Sequence, residues 1–304
     1  MGTSLEGKVA IVTGAGRGLG RVEALALAKE GARVVVNDYG VGADGAGSSQ
    51  EPAHGVVEEI KSAGGEAVAA FGDVGDWGDV EAVVKKTIDT YGDINIVVNN
   101  AGFCRDRMIF NMSEEEFDAV IRVHLKGHFN FMRMACGYWR EQSKAKGEPI
   151  YGRLVSTSSE AFLFGSVGQP NYAAAKGGIT ALTLCAAQAM AKYGVTANAI
   201  CPRALTSMTE SGLTGQMFAK PEEGFHAFAP ENIAPLVAYL ASPMAERISG
   251  HVLLVWGKEV TIVNAPTLGT GFQNEEAWSV DDLDKKLTPH FEKLEPIQDG
   301  FVLS

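Results

Sequence analysis

The chain has 304 residues, of which 46% are hydrophobic and 21% charged, a balance typical of a globular protein with a sizeable core. Its net charge of −11 argues against nonspecific binding to nucleic acid or to an acidic membrane surface, both of which favour basic patches. No apolar run is long enough to span a membrane, and the first residues lack the apolar core of a signal peptide. The four cysteines form no CxxC pair, which predicts reduced thiols and a cytoplasmic location, and no metal site is predicted.

The first predicted unit is a strand, a glycine-rich loop and a helix. Residues 9–12 form an apolar run typical of a strand buried on both faces, and a helical pattern ends at Gly31. Between them, Gly14, Gly18 and Gly20 stand in a TGxxxGxG arrangement. Glycines let the backbone approach a pyrophosphate, and the helix N-terminus attracts its charge. We therefore predict a nucleotide phosphate site here, although a tight turn that binds nothing has the same pattern.

An acidic residue follows the second predicted strand, residues 34–36. Asp38 lies about 20 residues beyond the glycine loop, where a carboxylate binds the ribose hydroxyls of adenosine. A carboxylate there repels a 2′-phosphate and so favours NAD over NADP. Arg17 in the glycine loop favours NADP, because a cation there would meet that phosphate. We expect Asp38 to decide, because it would occupy the place of the phosphate; a plain turn residue is the alternative.

The next two strands also end in polar residues. A loop over residues 39–53 and a helix over 56–63 lead to a strand over 66–71 and then to Asp73, which is a candidate adenine contact or a turn cap. A helix over 80–91 precedes the fourth strand, 94–98, and the turn Asn99–Gly102 follows it. Asn and Gly at the carboxyl end of a strand can close over a nucleotide.

The second half continues the alternation. A helix capped by Ser113, continuous or with one break, is predicted to run to about residue 140, and residues 142–149 predict a loop. Strands are predicted at 153–159, 194–201 and 252–256, and a helix at 233–240. The irregular segment 202–230 is long enough to be typical of a lid.

Tyr172 and Lys176 lie in an alanine-rich helix that begins near Pro170. Four residues apart, they share one helical face. An ammonium beside a phenol favours the phenolate and lowers its pKa, which would make Tyr172 a general acid/base near neutral pH. Taken alone, this spacing is a weak signal and is more typical of a surface pair.

Alternating strands and helices predict a doubly wound, parallel, seven-stranded Rossmann-type α/β sheet with helices on both faces. We expect residues 1–258 to form a dinucleotide-binding catalytic domain. Residues 259–304 are expected to be an extension that packs on the same domain or on a neighbouring subunit. Ser159, the Tyr172 helix and the Asn99 turn should converge at the carboxyl ends of the strands.

In order and spacing, these motifs resemble the short-chain dehydrogenase/reductase family, with Ser159 thirteen residues before Tyr172. The resemblance implies catalysis by Ser159, Tyr172 and Lys176, in which Ser159 holds the substrate oxygen and Lys176 also bonds the nicotinamide ribose. It implies NAD binding by these residues: Gly14, Arg17, Gly18, Leu19, Gly20, Asp38, Asp73, Val74, Asn100, Ala101, Gly102, Tyr172, Lys176 and Thr206. Ser207 is the alternative to Thr206 for the carboxamide. A homodimer or homotetramer is also implied.

Residues 34–38, 99–107, 122–127 and 208–209 are similar to a narrower branch, the (3R)-hydroxyacyl-CoA dehydrogenase unit of peroxisomal-type multifunctional β-oxidation enzymes. That likeness implies lipid metabolism, with oxidation of a fatty or steroid side-chain CoA thioester. A 3-oxoacyl-carrier-protein reductase and a hydroxysteroid dehydrogenase stay open, as does a non-catalytic NAD-binding protein. Two positions depart from the wider family. His124 stands where most members have Asn, and Arg203, in place of a Gly, is interpreted as reaching a substrate anion or pointing to solvent.

Overall fold

A single sheet of eight strands organises the computed structural model, which describes residues 3–42, 47–210, 212–264 and 268–294. The strand order is β3-β2-β1-β4-β5-β6-β7-β8. The strands are β1 Val9–Thr13, β2 Arg33–Asn37, β3 Glu66–Ala70, β4 Ile96–Asn99, β5 Gly152–Thr157, β6 Val195–Pro202, β7 Val252–Trp256 and β8 Glu259–Val263. Strands β1 to β7 pair in parallel, which confirms the predicted doubly wound class.

The eighth strand was not predicted. It pairs antiparallel with β7, with Trp256 opposite Glu259, so that the connecting turn contains Gly257 and Lys258. Gly257 has a φ of 52°, a left-handed value that glycine adopts without a Cβ clash. Val260 and Ile262 are 52% and 63% exposed, so β8 is an edge strand without the long apolar run that marked the buried strands.

Helices cover both faces of the sheet. They are α1 Gly18–Lys29, α2 Glu51–Ser62, α3 Trp77–Tyr91, α4 Glu114–Ile121, α5 Gly127–Lys146, α6 Ala161–Phe164, α7 Pro170–Met190, α8 Gly212–Met217, α9 Ala234–Ala241 and α10 Val280–Phe291. Val12 in β1 packs on the side of α1, α2 and α9, whereas its neighbour Ile11 packs on the side of α3, α5 and α7. Strands buried on both faces explain the continuous apolar runs in the sequence. In the described part of the chain, no helix is both long and apolar enough to cross a membrane.

The predicted helix after Ser113 has the break that was allowed for, but it ends later than expected. A capping box between Ser113 and Glu116 starts α4, as expected, but a π-helical turn over Arg122–Lys126 separates α4 from α5. Helix α5 then continues to Lys146, so the loop predicted at 142–149 is wrong for most of its length. Lys144, Ala145 and Lys146 are good helix formers and are exposed, and the helix ends at Gly147, where φ is 71°. The predicted irregular segment 202–230 also contains α8.

Candidate active site

A cleft opens at the carboxyl edge of the sheet, beside β1, β2 and β4. Eleven of the predicted cofactor-binding residues line it: Gly14, Arg17, Gly18, Leu19, Asp38, Asp73, Val74, Asn100, Ala101, Gly102 and Thr206. Ser207, the alternative to Thr206, lines it as well. Open α/β sheets bind their ligands at this edge.

The glycine loop packs too closely for side chains. A Cβ on Gly20 would lie 2.2 Å from the Gly14 carbonyl oxygen, and one on Gly14 would lie 2.7 Å from the Ala101 Cα. The Thr13 hydroxyl accepts hydrogen bonds from the Asn100 and Ala101 amides at 3.0 and 3.1 Å. The glycine loop and the turn after β4 therefore form one rim, and α1 begins directly at it. This is a backbone cradle of the kind that receives a pyrophosphate.

The Asp38 carboxylate crosses the end of the glycine loop. Its Oδ2 accepts a hydrogen bond from the Gly16 amide at 2.7 Å, and its Oδ1 accepts one from the Gly40 amide at 2.6 Å. Arg17 instead lies in an exposed contact, with its guanidinium 3.4 Å from the Val41 carbonyl. A fixed acceptor at the lip of the cleft fits the ribose hydroxyls of an adenosine, so these residues suit a nicotinamide dinucleotide.

An arginine that sequence reasoning missed also lines the cleft. Arg122 pairs with Asp73 across 2.7 Å, and a Cβ on Gly75 would lie 2.5 Å from its guanidinium. The predicted adenine contact is therefore one half of an ion pair. Arg122 belongs to the π-helical turn, whose irregular geometry the sequence periodicity does not announce.

Ser159, Tyr172 and Lys176 come together at the end of β5. The Ser159 side chain is close enough to the Tyr172 phenol to act on its pKa, and the Ser159 Oγ accepts the Ala161 amide at 3.2 Å. The Lys176 Nζ lies 5.2 Å from the centre of the Tyr172 ring. It donates to the Thr157 carbonyl at 2.6 Å and is only 2% exposed. Hydroxyl, phenol and ammonium thus lie side by side, as an acid/base site requires.

The expected lowering of the tyrosine pKa is wrong for this arrangement. Burial raises the pKa of Tyr172 above its usual value, and the neighbouring Cys104 raises it further. The Ser159 side chain acts in the opposite direction but does not prevail. Burial also lowers the pKa of Lys176 to about 8, because a buried ammonium is poorly solvated. Desolvation therefore outweighs the pairwise attraction on which the sequence argument rested, and Tyr172 is a neutral phenol near pH 7.

Two neighbours hold the tyrosine in place. His124 is buried, with its Nε2 within 2.7 Å of the Phe103 carbonyl oxygen, and its ring packs edge-on against Tyr172 at 5.2 Å between centroids. Burial and the nearby Lys176 charge lower its pKa well below the usual value, so the imidazole is neutral. Asn171, buried and not anticipated from the sequence, donates to the Arg105 and Glu116 carbonyls at 3.0 Å and accepts the Tyr172 amide at 2.7 Å.

No set of His, Cys, Asp and Glu side chains in the described ranges is arranged to hold a metal ion.

Known proteins resemble this chain over most of its length. The model of the short chain dehydrogenase family matches residues 8–216. A hydroxyacyl-CoA dehydrogenase, ChsB1, of Mycobacterium tuberculosis is 47% identical over 97% of this chain and 92% of its own length. Peroxisomal multifunctional enzyme type 2 of Mus musculus is 42% identical over 81% of this chain, which spans 31% of that protein.

A solved structure resembles this chain in both sequence and fold. A short chain dehydrogenase from Mycobacterium avium is 47% identical to this chain, with a TM-score of 0.84. The match covers 96% of this chain and 97% of that one.

Proposed function

The chain belongs to the short-chain dehydrogenase family, and from that premise we propose that it interconverts a 3-hydroxyacyl-CoA and its 3-keto form with NAD. The observation that carries the proposal is the Ser159–Tyr172–Lys176 group beside a cleft whose lip holds Asp38. We propose the (3R) configuration because the sequence resembles the (3R)-hydroxyacyl-CoA dehydrogenase unit of multifunctional β-oxidation enzymes. Kinship with a protein named hydroxyacyl-CoA dehydrogenase supports a fatty or steroid side-chain thioester.

In this mechanism Ser159 donates a hydrogen bond to the substrate oxygen. Tyr172 takes the proton of the substrate hydroxyl during oxidation and returns it during reduction. Lys176 holds a positive charge 5.2 Å from the ring centre, which favours the phenolate as the proton moves. It is also the group that would bond the nicotinamide ribose. The cofactor supplies the hydride acceptor for oxidation and the donor for reduction. Because the same residues serve both directions, the site itself is compatible with either.

Initial rates test the proposal. Oxidation of a (3R)-hydroxyacyl-CoA, its (3S) isomer and a hydroxysteroid is measured with NAD and with NADP, and reduction of a 3-oxoacyl carrier-protein thioester with NADH and with NADPH. We expect the highest kcat/KM with NAD and the (3R) thioester. Activity confined to NADPH and the carrier-protein thioester would instead identify a 3-oxoacyl-carrier-protein reductase. Turnover of the steroid alone would identify a hydroxysteroid dehydrogenase, and NAD binding without any turnover would support a non-catalytic role.

Replacing Asp38 should weaken the preference for NAD. In Asp38→Ser the carboxylate that accepts the Gly16 and Gly40 amides is lost, and so is the acceptor for the ribose hydroxyls. Hydrogen bonds to a charged group contribute about 1.5–3 kcal/mol, so kcat/KM for NAD should fall about 10- to 100-fold. The value for NADP should fall less or rise, because repulsion of the 2′-phosphate is removed. Asp89→Asn, a change on the exposed face of α3, is the matched control. An unchanged ratio of the two kcat/KM values would contradict the role of Asp38.

The structure also bears on assembly, for which we propose a homodimer or homotetramer. Phe117 on α4 and Phe129 on α5 are 39% and 43% exposed, which suits a face that another subunit covers. Residues 259–304 are proposed as an extension that packs on the same domain or on a neighbouring subunit. Within it, β8 adds to the sheet, while α10 buries none of its residues. All four cysteines are free, which supports a reducing compartment such as the cytoplasm.

A further inference from the structure

A buried ion pair stands next to the catalytic serine. Glu160 follows Ser159, and its carboxylate meets the Arg203 guanidinium through two hydrogen bonds, 2.6 Å from Nε and 2.7 Å from a terminal nitrogen. The two side chains are 9% and 12% exposed. From the sequence, Arg203 is interpreted as pointing to solvent or reaching a substrate anion. The ion pair with Glu160 contradicts both interpretations. Thr157 and Ile200 are paired in the register of β5 and β6, and Glu160 and Arg203 each follow their strand's member of that pair by three residues. The two charged residues therefore leave the sheet at the same level.

The Glu160–Arg203 ion pair, called the clamp below, joins the turn after β5 to the ends of β6 and β7. The Arg203 amide donates to the Val255 carbonyl at 3.0 Å, which ties the arginine to the end of β7. The Glu160 carbonyl accepts the Leu163 amide at 2.9 Å and so starts the short helix after Ser159. Buried ion pairs are weak devices for stability, because desolvation offsets their attraction, and their better-attested use is to fix one conformation. Here the conformation fixed is that of the Ser159 turn.

An aromatic stack extends the clamp toward the segment predicted to be a lid. The Arg203 guanidinium lies 5.4 Å from the centre of the Trp256 ring. Trp256 stacks on Phe228, and Phe228 stacks on Phe218 at 4.1 Å between ring centres. The Phe228 carbonyl accepts the Leu205 amide at 2.7 Å, next to Thr206, which lines the cleft. Contacts thus run without a gap from the Ser159 turn to both ends of the segment 204–228.

We propose that Glu160 and Arg203 are positioning residues, which hold Ser159 at the substrate oxygen and seat the segment formed by residues 204–210 and 212–228 on the cleft through the Trp256 stack. This inference rests on the proposed oxidoreductase function for its kinetic consequence. The placement of the segment is independent of that function, because it depends on contacts within the chain alone.

The decisive variant is the double change Glu160→Gln with Arg203→Met, because it leaves no buried charge unpaired. We expect kcat to fall about 10- to 100-fold, the effect typical of a catalytic group displaced by about 1 Å. Binding of NAD, measured by calorimetry, should weaken by a smaller factor than kcat falls, because neither residue lines the cleft although Thr206 on the segment they seat does. Each single variant should lose at least as much kcat as the double variant. The control is Lys85→Met, which removes a remote ion pair with Asp89 on the exposed face of α3.

Amide hydrogen exchange supplies a readout that needs no substrate. In the double variant, exchange should accelerate in peptides covering 159–164, 204–210 and 216–230 and stay unchanged in the Lys85→Met control. Unchanged exchange in these peptides would overturn the proposal, whatever the activity of the parent. Full kcat in a folded double variant would also overturn the proposal. So would a loss of kcat in the double variant equal to the product of the losses in the two single variants, because the two residues would then act independently. A parent without turnover on any substrate would refute the proposed function alone.

Discussion

Turnover by the Tyr172→Phe variant should fall by about 10³-fold, while NAD still binds. The change removes one oxygen atom, the phenol oxygen on which Ser159 acts and which exchanges the substrate proton in the proposed mechanism. A positioned general acid/base contributes about 10²- to 10⁴-fold to a rate, and phenylalanine offers no proton in its place. The phenylalanine keeps the ring that packs against His124, so the fold should persist.

The matched control for this experiment is Tyr138→Phe. Tyr138 is a half-buried tyrosine of α5 whose hydroxyl donates to Asp93 at 2.9 Å, far from the catalytic group along the sheet. It should keep the parental kcat. Steady-state rates give kcat, and calorimetric titration with NAD gives the cofactor affinity of both variants. If Tyr172→Phe keeps more than a tenth of the parental kcat, Tyr172 is not the acid/base.

The sheet could be predicted from the sequence because its signals are local. Buried parallel strands require continuous apolar runs, such as the one around Val35, and their parallel direction follows from the alternation with helices. The cleft was predictable for the same reason, since Gly14, Asp38 and Asn100 each stand directly after a strand. Positions at strand ends are fixed by topology rather than by side-chain packing, and short motifs therefore locate them well.

What the sequence could not predict depends on burial and on contacts distant along the chain. The pKa of Tyr172 required the solvent exposure of the phenol, and the Lys176 spacing alone predicted the opposite direction. Arg203 looked like a solvent-facing substitution because its partner, Glu160, is 43 residues away in the sequence. The strand β8 has no long apolar run, since an edge strand is half exposed.

Glu23 is a further residue whose protonation state depends on burial, and this burial leads to a prediction about stability. It lies on α1, one turn below the glycine loop, and is 0% exposed. Neither carboxyl oxygen has a hydrogen-bond partner among the described residues. Burial raises the pKa of this carboxyl from 4.5 to about 8, and the charge of Lys176 only partly counteracts the effect. At pH 7 the folded protein therefore holds Glu23 as a neutral acid.

The consequence for stability follows from proton linkage. A carboxyl group with a folded pKa above its unfolded value keeps the folded chain more protonated, so stability falls as the pH rises from 4.5 to about 8. At 1.36 kcal/mol per pKa unit, this window corresponds to at most about 5 kcal/mol. Glu23→Gln has nearly the same shape and cannot ionise, so it should remove this loss. The free energy of unfolding of the variant minus that of the parent should rise between pH 5 and pH 8.

Urea unfolding of both proteins at pH 5, 6.5 and 8 measures that difference. Comparing variant with parent cancels the contributions of groups that do not interact with Glu23. Lys176 does interact with Glu23, but its pKa of about 8 places its titration at the upper end of this window, so the rise between pH 5 and pH 6.5 reports on Glu23. The control is Glu81→Gln on the exposed face of α3, where the carboxylate meets water in both states and the difference should be flat. A flat difference for Glu23→Gln as well would mean that the Glu23 carboxylate is solvated or paired in the folded protein. The expected rise would show that the helix carrying the glycine loop is anchored by a buried acid that must stay protonated.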